Sequence, residues 1–308
     1  MKDSYARVNL VRLCRLFGLS RQAYYQHFWH QEAISIEQSL VLEQVFAIRR
    51  DHRVMGGRKL YEKLHPFLLN HQIKMGRDAF FTLLAEHKLL VKRRRRGCVT
   101  TFSNHWLRKW PNLIRGMQVN RINQLWVSDI TYWKIGEGYV YISLITDAYS
   151  HKIVGYHMAQ TLASIETIKA LNMAISHLPA PMKGNLIHHS DRGAQYCCDN
   201  YVKLLQKNGI EISMTENGDP LENAIAERIN GILKSEYLRH YKPETMQKAK
   251  EKLQLAVELY NQDRPHLSIG LLTPETVHNK ELVVEKLWKN YYVKKPNIVN
   301  SIQDNKIL

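Results

Sequence analysis

An α/β domain built on a mixed five-stranded sheet, preceded by an all-α front, is the fold class this sequence predicts. Three features carry the expectation. Apolar residues recur at helical spacing up to about residue 90, then switch after residue 120 to the β-branched and aromatic runs of strands. From there the pattern reads as three strands joined by tight turns, then helix, strand, helix, strand, helix, which favours a mixed sheet with helices on its faces. The charge divides at the same place. Residues 1–120 hold 22 Lys and Arg against 8 Asp and Glu, whereas residues 121–308 hold 22 against 20. A basic front on a near-neutral body points to a polyanion as the partner of the front.

The elements justify themselves in order. Over residues 7–30, Val8, Val11, Leu13, Leu16 and Phe17 lie at roughly helical spacing. Gly18-Leu19-Ser20 makes a turn, Ser20 caps a second helix, and Arg21, Gln22, Tyr24 and Tyr25 open it. This is a helix-turn-helix pattern, in which Arg21 and Gln22 are placed to touch DNA; a plain helical hairpin would show the same spacing. A helix over 37–48 follows, with Leu40, Val41, Gln44, Val45 and Ile48 as its spine, broken by Met55-Gly56-Gly57. Helices over 58–69 and 77–84 complete the front. The run Lys92-Arg93-Arg94-Arg95-Arg96 is suited to cross a phosphate backbone. Residues 97–120 read as a linker.

In the body, strands are predicted over 125–133, 139–146, 151–158, 185–189 and 210–214, and helices over 164–177, 199–208 and 244–262. Gly136-Glu137-Gly138 is the turn between the first two strands. A further helix opens at Asp219-Pro220-Leu221-Glu222, with Asp219 as cap, Pro220 at the first position and Glu222 closing a capping box, which puts Glu227 two turns in. Asn223, Glu227 and Lys234 share one face of that helix. The chain thus divides into 1–34, 35–96, 97–120, 121–280 and a basic tail at 281–308.

No run of about 18 apolar residues is present, and Met1-Lys2-Asp3-Ser4 does not open a signal peptide, so neither a membrane partner nor export is expected. Cys14, Cys98, Cys197 and Cys198 have no ligand or disulfide spacing and fit a reducing cytoplasm as structural residues.

Asp129 sits inside the first strand, in Trp126-Val127-Ser128-Asp129-Ile130-Thr131-Tyr132. A carboxylate among strand formers is costly if buried and unpaired, so it needs a partner, a cation or water. An edge-strand surface Asp would satisfy the same pattern. Asp191 stands just past a strand end in His189-Ser190-Asp191-Arg192-Gly193-Ala194-Gln195-Tyr196. With helix-borne Glu227 these make a candidate site for a divalent metal. Asp147, in Thr146-Asp147-Ala148-Tyr149-Ser150, reads as a turn-forming residue instead.

Those segments, the 35-residue gap between Asp191 and Glu227, and Lys234 seven residues further on together resemble the Asp-Asp-Glu transposases and retroviral integrases. The form is most similar to the OrfB-type transposases of the IS-three family of bacterial insertion sequences. Asn223-Ala224-Ile225-Ala226-Glu227, Tyr260-Asn261-Gln262-Asp263-Arg264-Pro265-His266 and Thr273-Pro274-Glu275 agree with that family, as does Gly56-Gly57-Arg58-Lys59 in the front. Ile122 and Pro220-Leu221-Glu222 depart from it without removing a carboxylate.

The resemblance implies a ribonuclease-H-like core at 121–280 and two helical DNA-binding modules at 1–34 and 35–96. It implies a Mg²⁺-dependent polynucleotidyl transferase, with Asp129 bridging two ions and Asp191 and Glu227 each holding one; Mn²⁺ would substitute. Such ions lie about 3.5–4 Å apart and act on an in-line displacement at phosphorus. The implied activity is strand cleavage at the element ends and strand transfer, through a circular intermediate. Arg58, Lys59, Arg228 and Lys234 would touch DNA, and His189, Gln195 and Asn223 are further contact or supporting candidates. Element-end and target DNA, other copies of the chain, and an upstream-frame protein or fusion are the implied partners, in a nucleoid-associated bacterial setting. A DNA-binding regulator with an inactive integrase fold, or a nuclease without strand transfer, remain alternatives.

Overall fold

The computed structural model describes residues 9–91, 107–136, 138–179, 185–216 and 223–284. The front is helical. Helix α1 (Leu10–Leu16) is capped by Asn9, whose side chain accepts from the Val11 amide, and a short turn with Gly18 at φ 67° leads to α2 (Arg21–Asp51). Ser20 caps α2 as its position in the sequence implies, accepting from the Ala23 amide at 3.0 Å. The sequence reading of separate helices before and after residue 34 is corrected here: α2 is one helix of 31 residues, and the 34/35 boundary falls inside it. No Gly or Pro lies between Arg21 and Asp51, and Ser39 donates its hydroxyl back to the Ser35 carbonyl, so nothing stops the helix.

Two further helices, α3 (Gly57–Asn70) and α4 (Arg77–Glu86), pack on the second half of α2. Their core is Val41, Val45, Met55, Leu60, Leu64, Phe80, Leu83 and Leu84, all buried. The first half of α2 packs on none of these and stands exposed, including Phe28 and Trp29.

The body is a five-stranded sheet of β1 (Leu125–Ile135), β2 (Gly138–Asp147), β3 (Ile153–Ala159), β4 (Ile187–Ser190) and β5 (Glu211–Met214). Their order is β3-β2-β1-β4-β5. The first three strands pair antiparallel, while β4 and β5 join parallel to β1. Helices α5 (Ser164–Ser176), α6 (Ala194–Cys197) and α7 (Asp199–Lys207) cover one face over Trp126, Ile145, Leu171 and Tyr201. Helices α8 (Ala224–Ile232) and α9 (Met246–Gln262) cover the other over Trp133, Ile142, Leu144, Leu253 and Tyr260. At Gly155 on β3 an added Cβ would lie 2.3 Å from the Ala170 carbonyl, so only glycine lets α5 seat this closely. This three-layer packing around a mixed sheet is the ribonuclease-H-like fold.

A single π-helical turn, Leu233–Leu238, prolongs α8. It carries Lys234, Glu236 and Tyr237, and the last two meet the front. Glu236 accepts two hydrogen bonds from Arg264, at 2.8 and 2.7 Å, and lies 3.9 Å from the Lys59 ammonium. Buried His52, which follows α2, contacts the Tyr237 hydroxyl at 3.0 Å and Asp263 at 2.5 Å, and Lys63 on α3 pairs with Asp263.

Residues 107–120, read from sequence as a linker, are docked on the body. The Met214 amide donates to the Pro111 carbonyl, the Leu113 amide donates to Ser213 Oγ, and Trp110 packs into the α5–α7 face. The strap covers the outer edge of β5, which would otherwise offer unpaired amides to another chain. Helix α10 (Pro274–Lys280), begun by Thr273 as cap and Pro274, clips the β2–β3 turn through Lys152–Glu275 at 3.0 Å and Ser150–His278 at 3.0 Å. Asp147 is fully buried in that turn and accepts from the Ser150 amide and hydroxyl and the Asn123 amide.

Lys92 to Arg96, Asp219 to Glu222 and the tail beyond 284 lie outside the described residues. Among the described residues no helix is long and apolar enough to cross a membrane. Cys14 and Cys197 are buried free thiols and Cys198 is a half-buried one.

Candidate active site

Strand pairing brings the first two carboxylates together. Ser128 on β1 stands opposite Ser190 at the end of parallel β4. The next residue of each chain segment is therefore at a neighbouring position, and these are Asp129 and Asp191. Beyond this point β1 runs on with β2 alone, because β4 has ended. Asp191 folds back on its own loop and accepts from the Gly193 amide at 3.0 Å. A Cβ at Gly193 would sit 3.0 Å from that carboxylate and 3.1 Å from Gln195 Oε1, so a side chain there would press on both.

Glu227 comes from α8, and two asparagines fix that helix to β1. Asn223, at the cap position, donates its amide to the Ser128 carbonyl at 3.1 Å. Asn230, two turns on, donates to Asp129 Oδ2 at 2.7 Å. The spacing 223, 227, 230, 234 is one helical stripe, so the glutamate lies between its two anchors. The helix starts at Ala224, which corrects the expected start: Glu227 is in its first turn rather than two turns in. Carboxylates are favoured there by the helix dipole.

The three carboxylates act on one another. Burial pushes the Asp129 carboxyl up to about 7, Asn230 and the Ile130 amide pull against this, and the charges of Asp191 and Glu227 push it further. Among the described residues no group of three His, Cys, Asp or Glu stands close enough together to hold a metal ion as they are placed. The residues themselves are the donors a hard divalent cation takes: three carboxylates, with burial and then the neighbouring Asp191 and Glu227 raising the Asp129 carboxyl. Asn223 Oδ1 and Asn230 Oδ1 are buried without a hydrogen-bond partner among the described residues, acceptors of the kind a cation's water would satisfy.

Lys234 is half-buried, with its ammonium 4.0 Å above the Tyr132 ring. Burial lowers its pKa, against a smaller opposing pull from the charge of Asp129. The remaining predicted residues scatter. Arg21, Gln22, Arg58 and Arg228 are exposed. Lys59 is not available to DNA in this arrangement. Its side chain is 17% exposed in the junction with Glu236, and burial, with Arg264 nearby, lowers its pKa to about 8. His189 is fully buried and hydrogen-bonds Ser213 of β5, a packing role. Asn230 was missed by sequence reading, although its place three residues after Glu227 and seven after Asn223 is a legible signal.

Fold and site together define an integrase core. The family profile described as "Integrase core domain" matches residues 119–220, and a second of that description matches 208–274. Over 272 residues the chain is 35% identical to the "Insertion element IS600 uncharacterized 31 kDa protein" of Shigella sonnei, covering 87% of this chain and 98% of the relative. It is 27% identical over 287 residues to "Transposase InsF for insertion sequence IS3A" of Escherichia coli, covering 90% and 96%. A catalytic core of HTLV-2 integrase in complex with magnesium superposes on 51% of this chain and 96% of its own, at 22% identity and a TM-score of 0.41. The chain belongs to the IS-three family of insertion-sequence transposases.

Proposed function

We propose that this protein is the DNA transposase of a bacterial insertion sequence, a metal-dependent polynucleotidyl transferase that cuts a strand at each element end and joins the freed end to target DNA. The observation that carries this reading is that strand pairing puts Asp191 beside Asp129 while Asn230, on the helix of Glu227, donates to the Asp129 carboxylate. Asp129, Asp191 and Glu227 would hold two Mg²⁺ ions, with Mn²⁺ as a substitute, supplying Lewis acidity for an in-line displacement at phosphorus. The chain's own part is positioning. Asn223 and Asn230 keep α8 on β1, the Ile130 amide and Asn230 orient Asp129, and the Gly193 amide orients Asp191. Lys234 would act as a point charge on a DNA phosphate near the reacting bond.

Double-stranded DNA, at element ends and target, is the proposed partner, with several copies of the chain assembled on it. Exposed Arg21, Gln22 and Arg58 in the front, together with Lys92 to Arg96, would add to its hold on DNA. The direct test is to incubate the full chain with DNA carrying the inverted repeats that flank its coding region, with Mg²⁺ or with EDTA. Nicks at the repeat boundary and joined products, both abolished by EDTA, are the expected result. Nicks without joined products would favour a nuclease, and intact DNA in Mg²⁺ would reject the reading.

A further inference from the structure

Two tyrosines at the free end of the β1–β2 hairpin have no part in the carboxylate site as described. Tyr132 is 45% exposed and Tyr139 is 53% exposed. Their rings meet edge to face at 5.7 Å. They sit where β1 has outrun β4, so this end of the hairpin projects from the sheet beside the site. Tyr132 is three residues from Asp129 along β1, roughly 10 Å at a strand's rise or about three base-pair steps of duplex, and by strand alternation its side chain leaves the sheet on the opposite face, at the edge that β4 leaves open. The Lys234 ammonium lies over the Tyr132 ring.

A cross-strand aromatic pair is by itself a common stabilising contact. Three circumstances separate this one from a packing pair. Both rings are about half exposed, and the group over Tyr132 is a single ammonium rather than an apolar element. The cation over Tyr132 is on the helix of Glu227 and feels the charge of Asp129, which ties the pair to the site. A π-helical turn, the kind of irregularity that clusters at functional positions, carries that cation.

Resting on the proposed function, we infer that Tyr132, buttressed by Tyr139, is a positioning residue that stacks an unpaired base of the DNA end within the first few nucleotides of the reacting bond. Every base has a π-face, so a tyrosine accepts any of them, and a neighbouring ammonium serves the adjoining phosphate. In the free protein Lys234 occupies the ring face. On DNA the base takes that face and the ammonium moves to the phosphate. The chain thereby holds a frayed end open across the free edge of β1 from its carboxylates, without reading sequence.

The test uses the full chain without divalent cation, so that binding is read apart from cleavage. The probes are duplexes of the flanking inverted repeat with 2-aminopurine at each of the last three positions in turn, either paired or opposite a mismatch. Wild type is expected to bind the mismatched end more tightly and to quench 2-aminopurine at one position. Tyr132→Ala should lose roughly 5- to 150-fold in affinity for the mismatched end, and the quenching with it. Tyr132→Phe and Tyr132→Trp should restore both, which a structural role of the hydroxyl would not allow. If folded Tyr132→Ala keeps the mismatch preference and the quenching, the inference is overturned. The proposed function fails separately, by absence of Mg²⁺-dependent cleavage in the wild type.

Discussion

Replacing Glu236 by Ala should destabilise the body where the front meets it, by leaving Arg264 without its carboxylate partner. Glu236 accepts from Nε and Nη2 of Arg264, whose side chain is 2% exposed, and faces Lys59 on α3. Burial alone would raise the Glu236 carboxyl, but the hydrogen bonds and charge of Arg264, helped by Lys59 and His52, overcome this and hold it below its ordinary range. Removing one member of a buried pair costs about 3–5 kcal/mol, because the other is left as an uncompensated charge. For a protein of this size that is a fall in melting temperature of roughly 5 to 8 °C. The sign with pH follows from the lowered carboxyl. Its contribution is fully present above the ordinary carboxylate pKa and is lost as pH falls through the lower folded value. The assay is thermal melting of wild type and Glu236→Ala at pH 7 and in steps down to pH 3. The gap between them should be widest at pH 7 and close in acid. A gap below about 1 kcal/mol at pH 7, or one that widens in acid, would refute the reasoning.

Asn230→Leu should keep the fold and lower Mg²⁺-dependent cleavage by about 10- to 100-fold, as losing a group that orients a ligand does, checked by single-turnover cleavage against the melting curve. Lys234→Ala should weaken binding of end DNA and reduce strand transfer while the Mg²⁺ concentration for half-maximal cleavage stays put, and Lys234→Arg should keep part of the activity; a shifted Mg²⁺ midpoint with intact DNA binding would reverse the assignment. The affinity of the full chain for DNA should fall steeply with salt, because each neutralised phosphate releases counterions, and a flat response in a salt titration would remove the basic front from the interface.

The sheet was legible because each strand is an apolar, β-branched run closed by turn residues, and the observed strands differ from the expected ones by no more than two residues at either end. Hairpin and crossover order then left few sheet arrangements, and the carboxylates Asp129 and Asp191 fell at neighbouring positions. What periodicity could not show was contact across modules. Lys59 looks like any surface lysine beside Arg58 until α3 is seen against the π-helical turn, where it meets Glu236. The same holds for His52 and Asp263, 211 residues apart. The continuity of α2 was missed because its first half has no buried stripe to set a period, only the absence of breakers. The π-helical turn leaves no mark in sequence, since its residues would serve equally in an α-helix. Asn230 was overlooked because an asparagine within a helix is usually read as surface; its partner on β1 gives it meaning.

The central claim, that Asp129, Asp191 and Glu227 form one metal-dependent site, is tested most directly by cleavage of end DNA in Mg²⁺ by Asp129→Asn, Asp191→Asn and Glu227→Gln, each measured beside its DNA affinity. Each change removes one anionic ligand at nearly constant shape. All three variants are expected to bind end DNA about as well as wild type and to cut none of it. Mg²⁺-dependent cleavage at the wild-type rate in any one of them would contradict the account.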